Sequence, residues 1–83
     1  MPTILRVNGF RFFFYSEEGN EPIHIHVDFA GKRAKFWVRP DVILASNLGL
    51  KASEIRKAKD IIVKYVSLIE EKWNEYDFRR KNI

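Results

Sequence analysis

Two histidines and a carboxylate alternate with apolar residues through the segment Glu21-Pro22-Ile23-His24-Ile25-His26-Val27-Asp28-Phe29. Alternation of this kind is the pattern of a half-buried β-strand. It sends Ile23, Ile25, Val27 and Phe29 to one face, and His24, His26 and Asp28 to the other. Residues i and i+2 of a strand lie roughly 6.5–7 Å apart, so both imidazoles reach a single ligand, metal ion or scissile bond. The chain has no other histidine.

Three chemistries suit that pair. Acting as acid and base on a phosphodiester, a neutral imidazole takes the proton of a ribose 2′-OH and a protonated one assists the leaving oxygen. Lys35 or an arginine then holds the phosphate charge. Acting as metal ligands, His-x-His supplies two positions, and Asp28, Glu21 or Glu18 offers the third that zinc needs. The surrounding cations disfavour a dication, so the preferred reading is metal-independent and calls for no cofactor. The third role is structural, with strand histidines half exposed and hydrogen-bonded to Asp28 or a loop carbonyl. No phosphate-cradling glycine loop, nucleophile elbow or zinc-protease helix is present in the sequence. The absence of cysteine excludes a thiol nucleophile, a thiolate-bound zinc and a disulfide scaffold.

The elements that must position the histidines follow from pattern. Asn8-Gly9 between Thr3–Val7 and Phe10–Tyr15 is a strong hairpin signal. A two-residue turn there sets Val7 opposite Phe10, Arg6 opposite Arg11, Leu5 opposite Phe12 and Ile4 opposite Phe13. Arg6 and Arg11 directly across a strand pair repel, unless they splay into solvent or meet an anion. Residues 16–22 form a polar loop, then comes the histidine strand. Ala30-Gly31-Lys32 links it to a further alternating strand, Arg33–Arg39, which Pro40 ends. Val42-Ile43-Leu44 is too short a run to distinguish a fifth strand from a helical turn, and Ser46–Leu50 reads as a turn. From Ala52 to about Phe78 the period becomes helical, with Ile55, Ala58, Ile62, Tyr65/Val66, Ile69, Trp73 and Tyr76 at three- and four-residue steps. Ser53 is the expected N-cap.

These stripes predict a single α+β domain, residues 1–83, with an antiparallel sheet of four to five strands and one face under a long C-terminal helix. The buried face takes Leu5, Val7, Phe10, Phe12, Phe14, Ile23, Ile25, Val27, Phe29, Ala34, Phe36 and Val38. The opposite face carries Arg6, Arg11, Phe13, Tyr15, His24, His26, Asp28, Arg33, Lys35, Trp37 and Arg39. Exposed aromatics among cations form a composition that stacks bases and holds phosphates. His24 and His26 are therefore the candidate catalytic pair, and Arg6, Arg11, Tyr15, Lys35, Trp37 and Arg39 the candidate substrate-binding residues. The formal net charge of +4 agrees with an anionic partner such as RNA. The same face also suits a homodimer anchored by Phe13, Tyr15 and Trp37, or a non-catalytic protein-docking module. Neither a signal peptide nor an 18-residue apolar run is present, so the expectation is a cytoplasmic protein without membrane contact.

Several blocks together resemble a known family: Met1-Pro2-Thr3-Ile4-Leu5-Arg6, Arg11–Ser16, Glu21–Val27, Ala34-Lys35-Phe36-Trp37, Asn47-Leu48-Gly49-Leu50, Glu54-Ile55 and Trp73-Asn74-Glu75-Tyr76. It is the small bacterial family catalogued as domain of unknown function 4160, and the resemblance runs over essentially the whole chain. Ile23 departs from it, since a second proline is common there. The resemblance implies a stand-alone prokaryotic protein, often encoded beside a second small protein. Such pairs have been proposed as toxin–antitoxin modules. By architectural analogy with small ribonuclease toxins, the histidine strand beside a basic sheet implies a ribonuclease candidate.

Overall fold

A computed structural model of the chain describes the backbone of residues 3–14 and 22–81 and the side chains up to residue 75. The strands are β1 (Thr3–Val7), β2 (Phe10–Phe13), β3 (His24–Phe29), β4 (Lys32–Trp37) and β5 (Ile43–Leu48). Two helices follow, α1 (Ala52–Lys64) and α2 (Val66–Lys81). The strands form one antiparallel sheet in the order β1-β2-β3-β4-β5.

Two tight turns set the register. Asn8 and Gly9 both take positive φ, 50° and 86°, as a type I′ turn requires. Ala30 and Gly31 repeat this at 50° and 78°. The first turn pairs Val7 with Phe10, Arg6 with Arg11 and Leu5 with Phe12, as the sequence predicts. The ladder then slips, and Thr3 rather than Ile4 stands opposite Phe13. The second turn pairs Phe29 with Lys32 and carries the register down to His24 opposite Trp37.

The inner sheet face and the two helices contribute to one buried cluster. Of the residues that strand alternation assigns to that face, Phe10, Phe12, Phe14, Ile25, Val27, Ala34, Phe36 and Val38 belong to the buried core cluster, Leu5, Ile23 and Phe29 pack against it half-buried, and Val7 is half-buried near the first turn. Ala58 and Ile62 from α1 and Ile69 and Trp73 from α2 complete the cluster. Fully burying each large apolar side chain contributes about 1.5–3 kcal/mol against solvent exposure.

Two expectations about the helical region need correction. The expected long helix is two helices, interrupted at Tyr65 (φ −109°, ψ 22°). Hydrogen bonds from Tyr65 N to Ile61 O and from Ile69 N to Tyr65 O, both 3.0 Å, carry the chain through the break. A straight helix over Ala52–Phe78 would run about 39 Å, well past strands of six residues, whereas the break lets each half bury its own apolar positions. The N-cap of α1 is Lys51, not Ser53. The Lys51 amide donates to Glu54 Oε1 at 2.8 Å, and Lys32 Nζ donates to the same oxygen at 3.0 Å. These contacts, the Lys51 amide first, hold the Glu54 carboxyl below its usual range.

The fifth strand exists, and it includes Ser46–Leu48, which the sequence reading assigns to a turn. Its ladder with β4 slips between Lys35 and Phe36, so that Lys35 faces Ser46 while Phe36 faces Leu44. Ala45 is the extra residue, and this bulge hides the strand's alternation.

Candidate functional site

The face away from the helices is organised in rows that cross the strands. One row runs Phe13, His26, Lys35, Ser46. The next runs Arg6, Arg11, Asp28, Arg33, Leu48. A third pairs His24 with Trp37 and Trp37 with Ile43. Directly opposed side chains in an antiparallel sheet share a face and lie roughly 4.5–5.5 Å apart at Cβ. His26, Lys35 and Ser46 therefore stand side by side on three strands.

A cavity of about 240 Å³ opens there, lined by His26, Arg33, Ala34, Lys35, Ser46 and Leu48. The residues that line it include two cations, an imidazole and a hydroxyl. Lys35 Nζ lies 4.5 Å from the Trp37 ring centroid, and His26 packs its ring on Phe13 at 5.6 Å and 28°. Ser46 and Leu48 were not legible as site residues, because the bulge at Ala45 masks which way β5 side chains point. Arg33 was legible as a cation of this face.

His24 differs from its expected half-exposed state. It is fully buried, although it stands on the same side of β3 as His26. Its ring sits edge-on to Trp37 at 5.6 Å, to Trp73 at 5.2 Å and to His26 at 5.3 Å. The contact with Trp73 joins it to α2, so it does not point wholly away from the helices. Nδ1 lies 2.9 Å from the Pro22 carbonyl oxygen. A carbonyl only accepts, so Nδ1 carries the proton in that bond and the neutral ring is fixed as one tautomer.

Phe13 is likewise fully buried rather than exposed. The Arg11 guanidinium lies 4.3 Å above its ring and that of Arg33 5.8 Å away. Among the described aromatics of this face, Phe13 and Trp37 thus already carry the chain's own cations. The Arg6–Arg11 juxtaposition has an internal remedy as well. Arg11 Nη2 reaches Asp28 Oδ2 at 3.5 Å, and Arg11 Nη1 donates to Thr3 Oγ1 at 3.3 Å. Arg6 remains exposed.

Arg39 is not brought to this site. Its guanidinium forms a two-pronged ion pair with Glu70 of α2, and it lines a separate cavity with Pro40, Val42, Lys59 and Val63. Hydrogen bonding and charge together raise the Arg39 pKa and lower that of Glu70. Tyr15 lies outside the described residues, as do Glu18 and Glu21, two of the three carboxylates that could complete a metal site with the histidines. The third, Asp28, is engaged by Arg11. No group of three metal-ligating side chains occurs among the described residues. No described helix is long and apolar enough to cross a membrane.

A family model described as "Domain of unknown function (DUF4160)" matches residues 9–74, from the first hairpin turn into the second helix. The chain belongs to the DUF4160 family. The match takes in β2 to β5 and the Trp73 side of α2, and leaves out β1 with Arg6. No curated protein and no solved structure matches the chain. In this DUF4160 protein the row of His26, Lys35 and Ser46 holds an imidazole, an ammonium and a hydroxyl on adjacent strands.

Proposed function

We propose that this DUF4160 protein is the toxin-like member of a bacterial two-protein module, and that it engages RNA through the sheet face around His26. The observation that carries the reading is the alignment of His26, Lys35 and Ser46 over a cavity that Arg33 also lines. Phosphate suits such a site. Two cations compensate its charge, and a hydroxyl and an imidazole provide directional hydrogen bonds. Because Phe13 and Trp37 already carry cations on their rings, affinity comes from the phosphate backbone, without base stacking. Binding is then insensitive to sequence and steeply dependent on salt.

In the catalytic form of this reading, His26 takes the proton of a ribose 2′-OH. That oxygen attacks phosphorus, the bond to the 5′-oxygen breaks, and water protonates the leaving oxygen to give a 2′,3′-cyclic phosphate. Lys35 and Arg33 stabilise the charge on the phosphoryl oxygens. His24, buried behind His26, is a positioning residue in this scheme and does not touch substrate.

A second reading, a module that docks a protein without chemistry, draws on a different observation. His24 is fully buried and the Nε2 atom of His26 is itself buried, an economy of exposed imidazole that suits binding. Purified protein incubated with RNA, with and without His26→Ala, separates the two. Cleavage that the variant loses supports the enzyme. Salt-sensitive binding without cleavage supports RNA binding alone. Intact RNA with no binding, and unaffected growth on over-expression, removes the RNA reading and leaves the docking module. Co-purification with the product of the adjacent gene tests the two-protein module.

A further inference from the structure

The two edges of the sheet are protected unequally. At one edge, β1 carries the exposed Arg6 and an irregular ladder, both features that discourage further strand pairing. At the other, β5 has no charged residue and no proline between Ile43 and Leu48, in a chain where 31% of residues are charged. All six of its residues are exposed. Among the described residues, three of the four exposed large hydrophobics lie on it: Ile43 at 52%, Leu44 at 40% and Leu48 at 72%. An edge strand that is apolar, uncharged and open along its length is a template for another strand.

The bulge says which strand fits. In a regular six-residue strand the first and last side chains point to opposite faces. Here Ile43 pairs with Trp37 and Leu48 with Arg33, both on the outer face, because Ala45 is inserted between them. Leu44 and Asn47 pair with Phe36 and Ala34 on the inner face. Antiparallel pairing of two identical β5 strands keeps each face continuous, so outer residues must meet outer ones and inner residues inner ones. Registers centred on Ala45 or on Ser46 set Leu44 against Ser46 or Leu48 and mix the faces. The register centred between Ala45 and Ser46 sets Ile43 against Leu48 and Leu44 against Asn47, and matches both. It covers each exposed outer hydrophobic residue with its counterpart, and it brings no like charges together.

We infer that β5 pairs with β5 of a second copy of this chain, extending the sheet to ten strands around a two-fold axis beside Ser46. Because Ser46 and Leu48 line the cavity at His26, each copy forms part of the surroundings of the other's site. This inference stands whether or not the face binds RNA.

The test is the oligomeric state of the full chain. Wild type should sediment over a concentration series at twice the 9.9 kDa of one chain, and Leu48→Lys and Ile43→Lys should each return it to a single chain with unchanged far-ultraviolet circular dichroism. The protein has no cysteine, so Ser46→Cys reports on its own. The two Ser46 positions come within about 6 Å in this register, inside disulfide reach. Oxidation should link Ser46→Cys into a dimer and leave Thr3→Cys, on the opposite edge, unlinked. A wild-type monomer at every concentration overturns the inference, including one whose β5 takes up an unrelated strand. So does a dimer that survives both lysine variants, or a Ser46→Cys protein that fails to crosslink.

Discussion

His24→Ala is expected to cost about 2–4 kcal/mol of folding stability, a range built from the contacts of the ring. The side chain is fully buried against Trp37, Trp73 and His26, and removing a buried ring leaves a cavity worth some kcal/mol. The lost bond from Nδ1 to the Pro22 carbonyl adds about 1 kcal/mol and leaves that oxygen without its donor. A chain of 83 residues has a total stability of roughly 4–12 kcal/mol, so the variant loses a large share of it. The melting temperature should fall by roughly 8–32 °C, at 4–8 °C per kcal/mol for a domain of this size. Urea unfolding followed by tryptophan fluorescence is the natural assay, because Trp37 and Trp73 both touch His24. His24→Phe refills the site with a somewhat larger ring and lacks the hydrogen bond to Pro22, so it should recover part of the loss. If His24→Ala unfolds within about 0.5 kcal/mol of wild type, the range of an ordinary surface substitution, then His24 is not packed as described and the division of labour between the two histidines is wrong.

Lys35→Ala should weaken RNA binding and reduce its salt slope by about one unit, since a single phosphate contact is lost; an unchanged slope would remove Lys35 from the interface. Gly9→Ala should destabilise the chain by 1 kcal/mol or more, roughly, because the residue holds φ 86° and a Cβ would meet Phe29 Cε1 at 3.3 Å, and thermal melting reads this directly. The Glu70 and Glu54 carboxyls are lowered, the first by Arg39 and the second by the Lys51 amide and Lys32. Their contribution is therefore complete above the unfolded-state value of about 4.3 and is lost as pH falls through the lower folded values. Melting temperature should decline in acid below about pH 4, and Glu70→Gln should show a smaller decline in the same titration.

The inner face was legible because two I′ turns and period-two alternation determine it together. Once Asn8-Gly9 and Ala30-Gly31 fix the pairing, Phe12, Ile25 and Phe36 have one place to go. The outer face was legible as a set of residues and not as an environment. Alternation puts Phe13 and His24 there, but nothing in the sequence says that Arg11 and Arg33 lie over one ring or that Trp73 reaches the other. Those contacts depend on where α2 turns back, and the break at Tyr65 has no proline or glycine to announce it. Ser46 escaped notice for a local reason, since one inserted alanine cancels the alternation by which a strand is recognised. Arg39 follows the alternation of β4 as far as Trp37, and beyond the strand's end its partner is Glu70.

The strand order also bears on how fast the chain finds its structure. Every strand pairs with its neighbour in sequence, so no pairing waits on the closure of a long loop. Two of the four ladders begin at turns of two residues, and hairpins of that kind form in roughly 1–10 μs. A sheet assembled from such local contacts belongs among the faster-folding antiparallel sheets. The long-range step is the docking of α2, which brings Trp73 against Phe14, some sixty residues earlier in the chain, and against His24. In a stopped-flow experiment, the fluorescence of Trp73 should therefore change after the sheet has formed.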